Sequence, residues 1–294
     1  MTTVAFQGIK GAYSEYAIYQ FFGPETRTAP CPSFEAVFEA VETGRAEQGM
    51  LPVENALTGS YPRAYELLME RDLRIRAEVI LRLQHTLMAR PGSKLADLKR
   101  VRSSQPALDQ CEKFINRYGL VPEPAFDTAG SARSLAEKPE PEVGVIASKL
   151  AAQIYQLDIL QEEIEDASFN FTRFFVLGWE DPPRAQRSKT SLIFGARQAN
   201  SAGALYGCLG EFAQRNINLT KIESRPRRNR PWDYYFYLDF DGHSQDPAAE
   251  AALLGLLRQA SFVKLLGSYP KATTPRPEDK GLPESQALAG ELGL

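Results

Sequence analysis

Apolar and polar positions along residues 3–178 switch repeatedly between a two-residue period and a 3.6-residue period, the spacings of strands and helices. "TVAFQG" predicts a short strand ending at Gly8, and "GAYSEYAIYQFFG" a helix closed by Gly23. "SFEAVFEAVETG" predicts a helix capped by Ser33, with Phe34, Val37, Phe38 and Val41 on one face and a stop at Gly44. "EQGMLPVEN" reads as a strand that runs into polar residues. "RIRAEVILRLQHTLMA" reads as a strand pair or one long bent strand. "RVRSS" is a strand, and "PALDQCEKFINRYG" a helix with Pro106 at its start. "EPAFDTAGSARSLAE" gives strand, turn and helix, "EVGVIAS" a strand, and "KLAAQIYQL" a helix. "SFNFTRFFVLG" (168–178) closes the region as a strand. Such alternation predicts an α/β domain built mostly on parallel sheet.

The pattern changes after "EDPPRAQRS", a Pro- and charge-rich stretch that reads as a linker over 181–188. "KTSLIFGAR", "INLTKIESRP", "WDYYFYLDFDG" and "FVKLLGSYP" read as strands. "GALYGCLGEFAQRN" and "PAAEAALLGLLRQA" read as helices. The order βαββαβ is the ferredoxin-like pattern. Residues 272–294 lack periodicity and are expected to be a disordered tail. The expected organisation is 1–180, a linker over 181–188, then 189–271.

The strand at 168–178 carries polar groups that a purely structural strand would avoid. Asn170, Thr172, Phe174 and Val176 share one face of an ideal strand, and Phe169, Phe171, Arg173, Phe175 and Leu177 the other. An amide, a hydroxyl and a guanidinium in so apolar a strand need partners, because unpaired burial is costly. Arg173 could grip a carboxylate with two parallel hydrogen bonds or form a structural ion pair. Thr172 could hydrogen-bond a leaving oxygen, or be present for its strand propensity. Glu54 and Asn55 end another strand, where Glu54 could position a substrate or act as an acid. Four strand-to-helix turns, "GIKGAYSE", "VENALTGS", "RSSQPA" and "DTAGSA", hold Ser14, Ser60, Ser104, Thr128 and Ser131. They are ordinary caps taken singly. Together, at the carboxyl ends of strands, such turns suit a small anion.

Composition narrows the class. A net charge of −3 with arginines spread along the 294 residues offers no basic tract for nucleic acid. Cys31, Cys111 and Cys208 are widely spaced and odd in number, which fits reduced thiols in a cytoplasmic protein rather than a disulfide framework. With only His85 and His243, a zinc site of the usual kind is not expected, and His85 reads as a structural histidine. No signal peptide and no membrane span is expected.

The motifs "FQGIKGAYSEYA" (6–17), "LPVEN" (51–55), "DTAGSA" (127–132), "NFTRFFVLG" (170–178), "GALYGCL" (203–209) and "NLTKIESRP" (218–226) resemble the prephenate dehydratase family followed by an ACT regulatory domain. The likeness covers about residues 3–270, and the chain looks like the form without a fused chorismate mutase segment. The resemblance implies a two-lobed catalytic domain like a type II periplasmic binding protein, with the site between its lobes. It implies decarboxylating dehydration of prephenate to phenylpyruvate on the route to phenylalanine, with no metal or organic cofactor. It carries catalytic roles to Thr172, Glu54 and Asn55. Substrate contacts fall to Tyr13, Ser14, Asn170, Arg173, Phe174, Ser104 and Thr128. Phenylalanine as effector is expected at Gly203, Ala204, Leu205, Asn218, Leu219, Thr220, Glu223 and Ser224, between paired ACT domains. The expected assembly is a homodimer or a dimer of dimers.

The chain departs from the family pattern in three places. Ala56 stands where Ser usually follows Glu-Asn. "SYPRAYELL" (60–68) replaces "SIHRNYDLL", and "SSQPAL" (103–108) replaces "SHPQAL". These changes bear on substrate choice, and arogenate is the alternative substrate. A non-catalytic amino-acid sensor is a further alternative, disfavoured by the retained Thr172, Glu54 and Asn55.

Overall fold

The computed structural model describes residues 2–197, 201–227 and 230–273. From residue 274 onward the expected tail lies outside the described residues. The chain opens with β1 (Thr3–Gln7), α1 (Tyr13–Phe22), β2 (Arg27–Cys31), α2 (Phe34–Glu42), β3 (Gln48–Asn55), β4 (Gly59–Ser60), α3 (Pro62–Glu70) and β5 (Arg74–Arg82). It continues with β6 (Thr86–Ala89), β7 (Arg100–Ser104), α4 (Gln105–Asp109), α5 (Glu112–Arg117), β8 (Val121–Ala125), α6 (Thr128–Glu137), β9 (Val143–Ala147), α7 (Lys149–Tyr155), β10 (Asp158–Gln161) and β11 (Phe171–Gly178). The last elements are β12 (Ser188–Ala196), α8 (Ala204–Ala213), β13 (Leu219–Arg227), β14 (Arg230–Asp241), α9 (Pro247–Gln259) and β15 (Ala260–Pro270).

Among the described residues the strands form three sheets, ordered β2-β1-β3-β11-β5 with β4 on β3, β10-β6-β9-β7-β8, and β13-β14-β12-β15. The mixed α/β character expected from the periodicity is therefore present. Parallel pairing holds where helices intervene, as in β1 with β2 and β3, and β7 with β8 and β9. Other pairs run the other way: β6 follows β5 after a short turn and pairs antiparallel with β9, and β10 pairs antiparallel with β6. The long stretch 74–89 is thus two strands in two different sheets.

Compact packing divides the chain differently from chain order. One unit holds the N-terminal residues through Ala64 together with Val79–Phe174, and the other holds Tyr65–Glu78 with Phe175–Thr273. The boundary thus falls within α3, β5 and β11 rather than only at the expected linker. The physical reason lies in the second unit. There Lys264 Nζ donates to the carbonyls of Met69 (3.0 Å) and Arg71, ending α3. Arg74 donates to Leu265 O, and Phe175 packs edge-on against Tyr269. The buried Lys189 ammonium reaches both carboxylate oxygens of the buried Glu78, at 2.8 and 3.0 Å.

In the C-terminal sheet every pairing is antiparallel. Leu192, Phe194, Cys208, Phe212, Leu238, Phe240, Ala252 and Leu256 form its core with α8 and α9. No described helix is long and apolar enough to cross a membrane.

Candidate functional site

Asn55 ends β3, at a hairpin that pairs it with Gly59 and pairs Glu54 with Ser60. The turn needs a positive φ at Gly59 (+83°), where a side chain would be strained. Beside it β11 begins at Phe171, so Asn170 precedes the strand and Thr172 is its second residue. Backbone bonds clamp the junction: the Ala56 N–H donates to Phe171 O and the Leu83 N–H to Asn170 O, each at 2.8 Å.

The polar groups of the 168–178 segment find their partners here. Asn55 Nδ2 faces Asn170 Oδ1 at 2.8 Å, Thr172 Oγ1 at 3.0 Å and Phe171 O at 3.1 Å. Its Oδ1 accepts from the N–H groups of Leu57 and Thr58, both at 3.0 Å. One buried amide therefore shapes its own turn and fixes Thr172. Because Asn55 donates to Thr172 Oγ1, the hydroxyl proton of Thr172 is directed elsewhere. Burial raises the pKa of the Tyr61 phenol, just after β4, with the Thr172 hydroxyl partly opposing it.

The network continues away from Thr172. Asn170 Nδ2 donates to Gln110 Oε1 at 2.8 Å, and the same oxygen lies 2.7 Å from His85 Nε2. An oxygen can only accept there, so Nε2 carries the proton. Burial lowers the His85 pKa and keeps the ring neutral, so Nδ1 accepts from the Tyr13 hydroxyl at 2.7 Å. Burial also pushes the Tyr13 phenol well above its usual value, so it stays a donor. Ser148 ties the same region to the first sheet's turn, donating to Gly11 O at 2.6 Å while it caps α7. His85 is thus structural, as its isolation in the sequence suggested.

Other expected site residues fall into distinct settings. Arg173 lies across β11 from Thr172 and approaches Glu54 at 4.0 Å. The single Tyr13 hydroxyl proton faces both His85 Nδ1 at 2.7 Å and Gln84 O at 3.0 Å. Ser14 is buried in the first turn of α1, Ser104 is the N-cap residue of α4, and Thr128 is the first residue of α6. Ser131 donates to Asp127 O, as an ordinary helix-turn residue does. Phe174 is almost fully buried and belongs to the core. In the C-terminal unit, Gly203 precedes α8 at φ +81°, a conformation that favours glycine. Ala204, Leu205 and Leu219 pack together on the core. Asn218 donates to Asp241, Thr220 to Asp239 O, and Glu223 pairs with Lys221 and Arg225. Ser224 stands opposite Phe236 on β13, which is an edge strand.

Sequence reading missed Gln110. Gln110 sits at the break between α4 and α5, inside what reads as one helix; its carbonyl accepts from Asp166 N at 2.7 Å. Among the described residues no cluster of His, Cys, Asp and Glu suits a metal ion.

The family model described as prephenate dehydratase matches residues 4–182. The chain belongs to the prephenate dehydratase family. It is 42% identical over 282 residues to arogenate dehydratase/prephenate dehydratase 2 of Arabidopsis thaliana, covering 92% of this chain and 73% of that one. Among solved structures, prephenate dehydratase of Arthrobacter aurescens in complex with L-Phe superposes with a TM-score of 0.84 at 31% identity, covering 93% of each chain. A structure described as GqqA, a novel type of quorum quenching acylase, superposes at 0.86 with 37% identity, covering 92% of this chain and 98% of that one. A prephenate dehydratase is a carbon–oxygen lyase, and prephenate-to-phenylpyruvate conversion in phenylalanine formation is the function its membership assigns to this chain.

Proposed function

We propose that the reaction takes place at the Thr172–Asn55 pair, with phenylalanine regulating it from the C-terminal unit. The supporting observation is the 3.0 Å contact from Asn55 Nδ2 to Thr172 Oγ1. It orients a hydroxyl whose own proton is then available to the departing 4-hydroxyl of prephenate. Glu54 and Arg173 set charge beside it. Ser14 stands at the start of α1, whose N–H groups suit a substrate carboxylate, while Thr128 begins α6, where the Asp127 carboxylate already caps Gly130 N. Ser104 adds a hydroxyl at the start of α4. Loss of carbon dioxide and water creates an aromatic ring, so the chemistry is downhill. The protein's task is orientation and proton delivery.

The βαββαβ unit is read as an ACT domain that takes phenylalanine between two copies, near Gly203–Leu205 and Asn218–Ser224. The Arthrobacter aurescens relative solved with L-Phe supports this reading. Titration calorimetry should show saturable heat with phenylalanine, and sedimentation a dimer or tetramer. A monomer that gives no heat would contradict it.

Arogenate is the second reading, favoured by the relatives named arogenate dehydratase, such as arogenate dehydratase 2 of Petunia hybrida at 42% identity over 283 residues. An acylase reading finds no support in the histidines. Both ring nitrogens of His85 are engaged by Gln110 and Tyr13, and His243 Nδ1 accepts from Gln245 N.

A further inference from the structure

A string of hydrogen-bonded side chains leads into the candidate site. The Tyr13 hydroxyl meets His85 Nδ1 at 2.7 Å, His85 Nε2 meets Gln110 Oε1 at 2.7 Å, and that oxygen takes Asn170 Nδ2 at 2.8 Å. Asn170 Oδ1 accepts from Asn55 Nδ2 at 2.8 Å, and the same Nδ2 reaches Thr172 Oγ1 at 3.0 Å. His85, Asn170, Asn55 and Thr172 are no more than 2% exposed, so water cannot stand in for a lost partner there.

The backbone settles the polarity of this string. The Leu57 and Thr58 N–H groups can only donate, so the Asn55 atom facing them is its oxygen. Asn55 Nδ2 therefore points at Asn170. Asn170 turns its oxygen to Asn55 and its nitrogen to Gln110, and Gln110 offers its oxygen to both Asn170 and His85. Turning over the Asn170 or Gln110 amide would set like atoms face to face. His85 is left with one arrangement, in which Nε2–H donates to Gln110 and Nδ1 accepts from Tyr13. Amides carry no mobile proton, so the string orients groups and does not relay protons.

The link from His85 to Gln110 matters because of what each member depends on. The Gln110 backbone is clamped, its N–H donating to Pro106 O at 3.1 Å and its carbonyl accepting from Asp166 N. Among the described residues its side chain is held by His85 and Asn170 alone. Asn170 Nδ2 in turn has Gln110 Oε1 as its acceptor. A Gln110 amide that swings away leaves the buried Asn170 nitrogen without one. Asn170 must then turn, and it shares Asn55 Nδ2 with Thr172.

We infer that His85 is a positioning residue for the reaction: its Nε2–H fixes Gln110, and through Gln110 and Asn170 the Asn55 amide that orients Thr172. This rests on the proposed role of Thr172. His85 touches no reacting atom in this role, and no bond forms or breaks on it.

The two ring nitrogens can be removed one at a time. Asparagine carries its amide at the bond count from Cβ of Nδ1, and glutamine at that of Nε2. His85→Asn thus keeps an acceptor for Tyr13 and loses the donor to Gln110. His85→Gln keeps the donor and loses the acceptor, and the Tyr13 hydroxyl still has Gln84 O at 3.0 Å. Each variant gives up one hydrogen bond, so a purely structural histidine predicts equal losses of thermal stability and equal turnover. The assays use the full chain and whichever of prephenate and arogenate the unmodified protein turns over. The inference predicts a kcat lower by roughly 10–100-fold in His85→Asn, and within about threefold of the parent in His85→Gln. KM should stay within about twofold in both, because uniform binding is untouched. Gln110→Met breaks the same link from the other side and should match His85→Asn, which keeps the test decisive where His85→Asn does not fold. In a Thr172→Ala background, His85→Asn should lower kcat no further. Equal kcat in His85→Asn and His85→Gln overturns the positioning role and leaves the Thr172 site standing. So does parental kcat in Gln110→Met, or a further fall in the Thr172→Ala background. Normal turnover in Thr172→Ala overturns the site and the positioning role together.

Discussion

Thr172→Ala is expected to lower turnover by roughly 10²–10⁴-fold, the usual worth of a positioned acid, with the fold intact. The hydroxyl removed is the one that Asn55 orients at 3.0 Å and that no other side chain on its face of β11 replaces. Asn55 keeps Asn170 Oδ1 and Phe171 O as acceptors, so loss of the Thr172 contact strands no donor. The stability cost should be about 1 kcal/mol, the worth of one ordinary hydrogen bond. Thr172→Ser keeps the hydroxyl and should retain most of the activity. Steady-state kinetics with a thermal melt of each variant checks this. Near-normal turnover in a folded Thr172→Ala protein would refute the role.

The largest stability effect is expected at Lys189 and Glu78. The Glu78 side chain is fully buried and that of Lys189 is about nine-tenths buried; the two meet through both carboxylate oxygens. Glu78 Oε1 also accepts from Ala272 N at 3.0 Å, which fixes the carboxylate on its second side. Lys189→Met takes the Lys189 ammonium away from that buried carboxylate and should cost about 3–5 kcal/mol. Adding Glu78→Leu removes the buried carboxylate, and the double variant should recover most of the loss, since a buried pair replaced by apolar groups is often neutral. Denaturant unfolding of the single and double variants measures the coupling. A Lys189→Met protein within about 0.5 kcal/mol of the parent would show that this pair is screened by water.

Residue spacing alone made the element types legible along most of the chain. The period-2 and period-3.6 signals placed α1, α2, α6, α8 and α9 within a few residues, because their apolar faces are long enough to repeat. α3 escaped notice although Ala64, Leu67 and Leu68 mark its buried side, because Pro62 and the polar turn before it read as loop. β10 is four residues long, too short for alternation to show. The single helix expected over 106–119 is two, because Gln110 turns its side chain to Asn170 and its carbonyl to Asp166.

The candidate site was legible where a polar residue broke an apolar pattern, as at Asn170 and Thr172. It was not legible where the partner came from elsewhere in the chain. Asn55 and Thr172 are 117 positions apart, and nothing local in "LPVEN" announces which strand its amide will meet. Gln110 carries no local signature either. The packing boundary was hidden for the same reason: Tyr65–Glu78 groups with the C-terminal unit through contacts such as Tyr237 OH to Tyr65 O at 3.0 Å.

The most direct measurement is product formation by the purified protein supplied with prephenate and with arogenate separately. The account predicts phenylpyruvate and carbon dioxide from prephenate, suppressed when phenylalanine is added. Phenylalanine formed from arogenate in preference would keep the reaction and transfer it to the amino substrate, with Ala56 and residues 103–106 as the positions to exchange. No product from either substrate, by a protein that is folded and binds phenylalanine, would contradict the assignment of a lyase and leave a sensor.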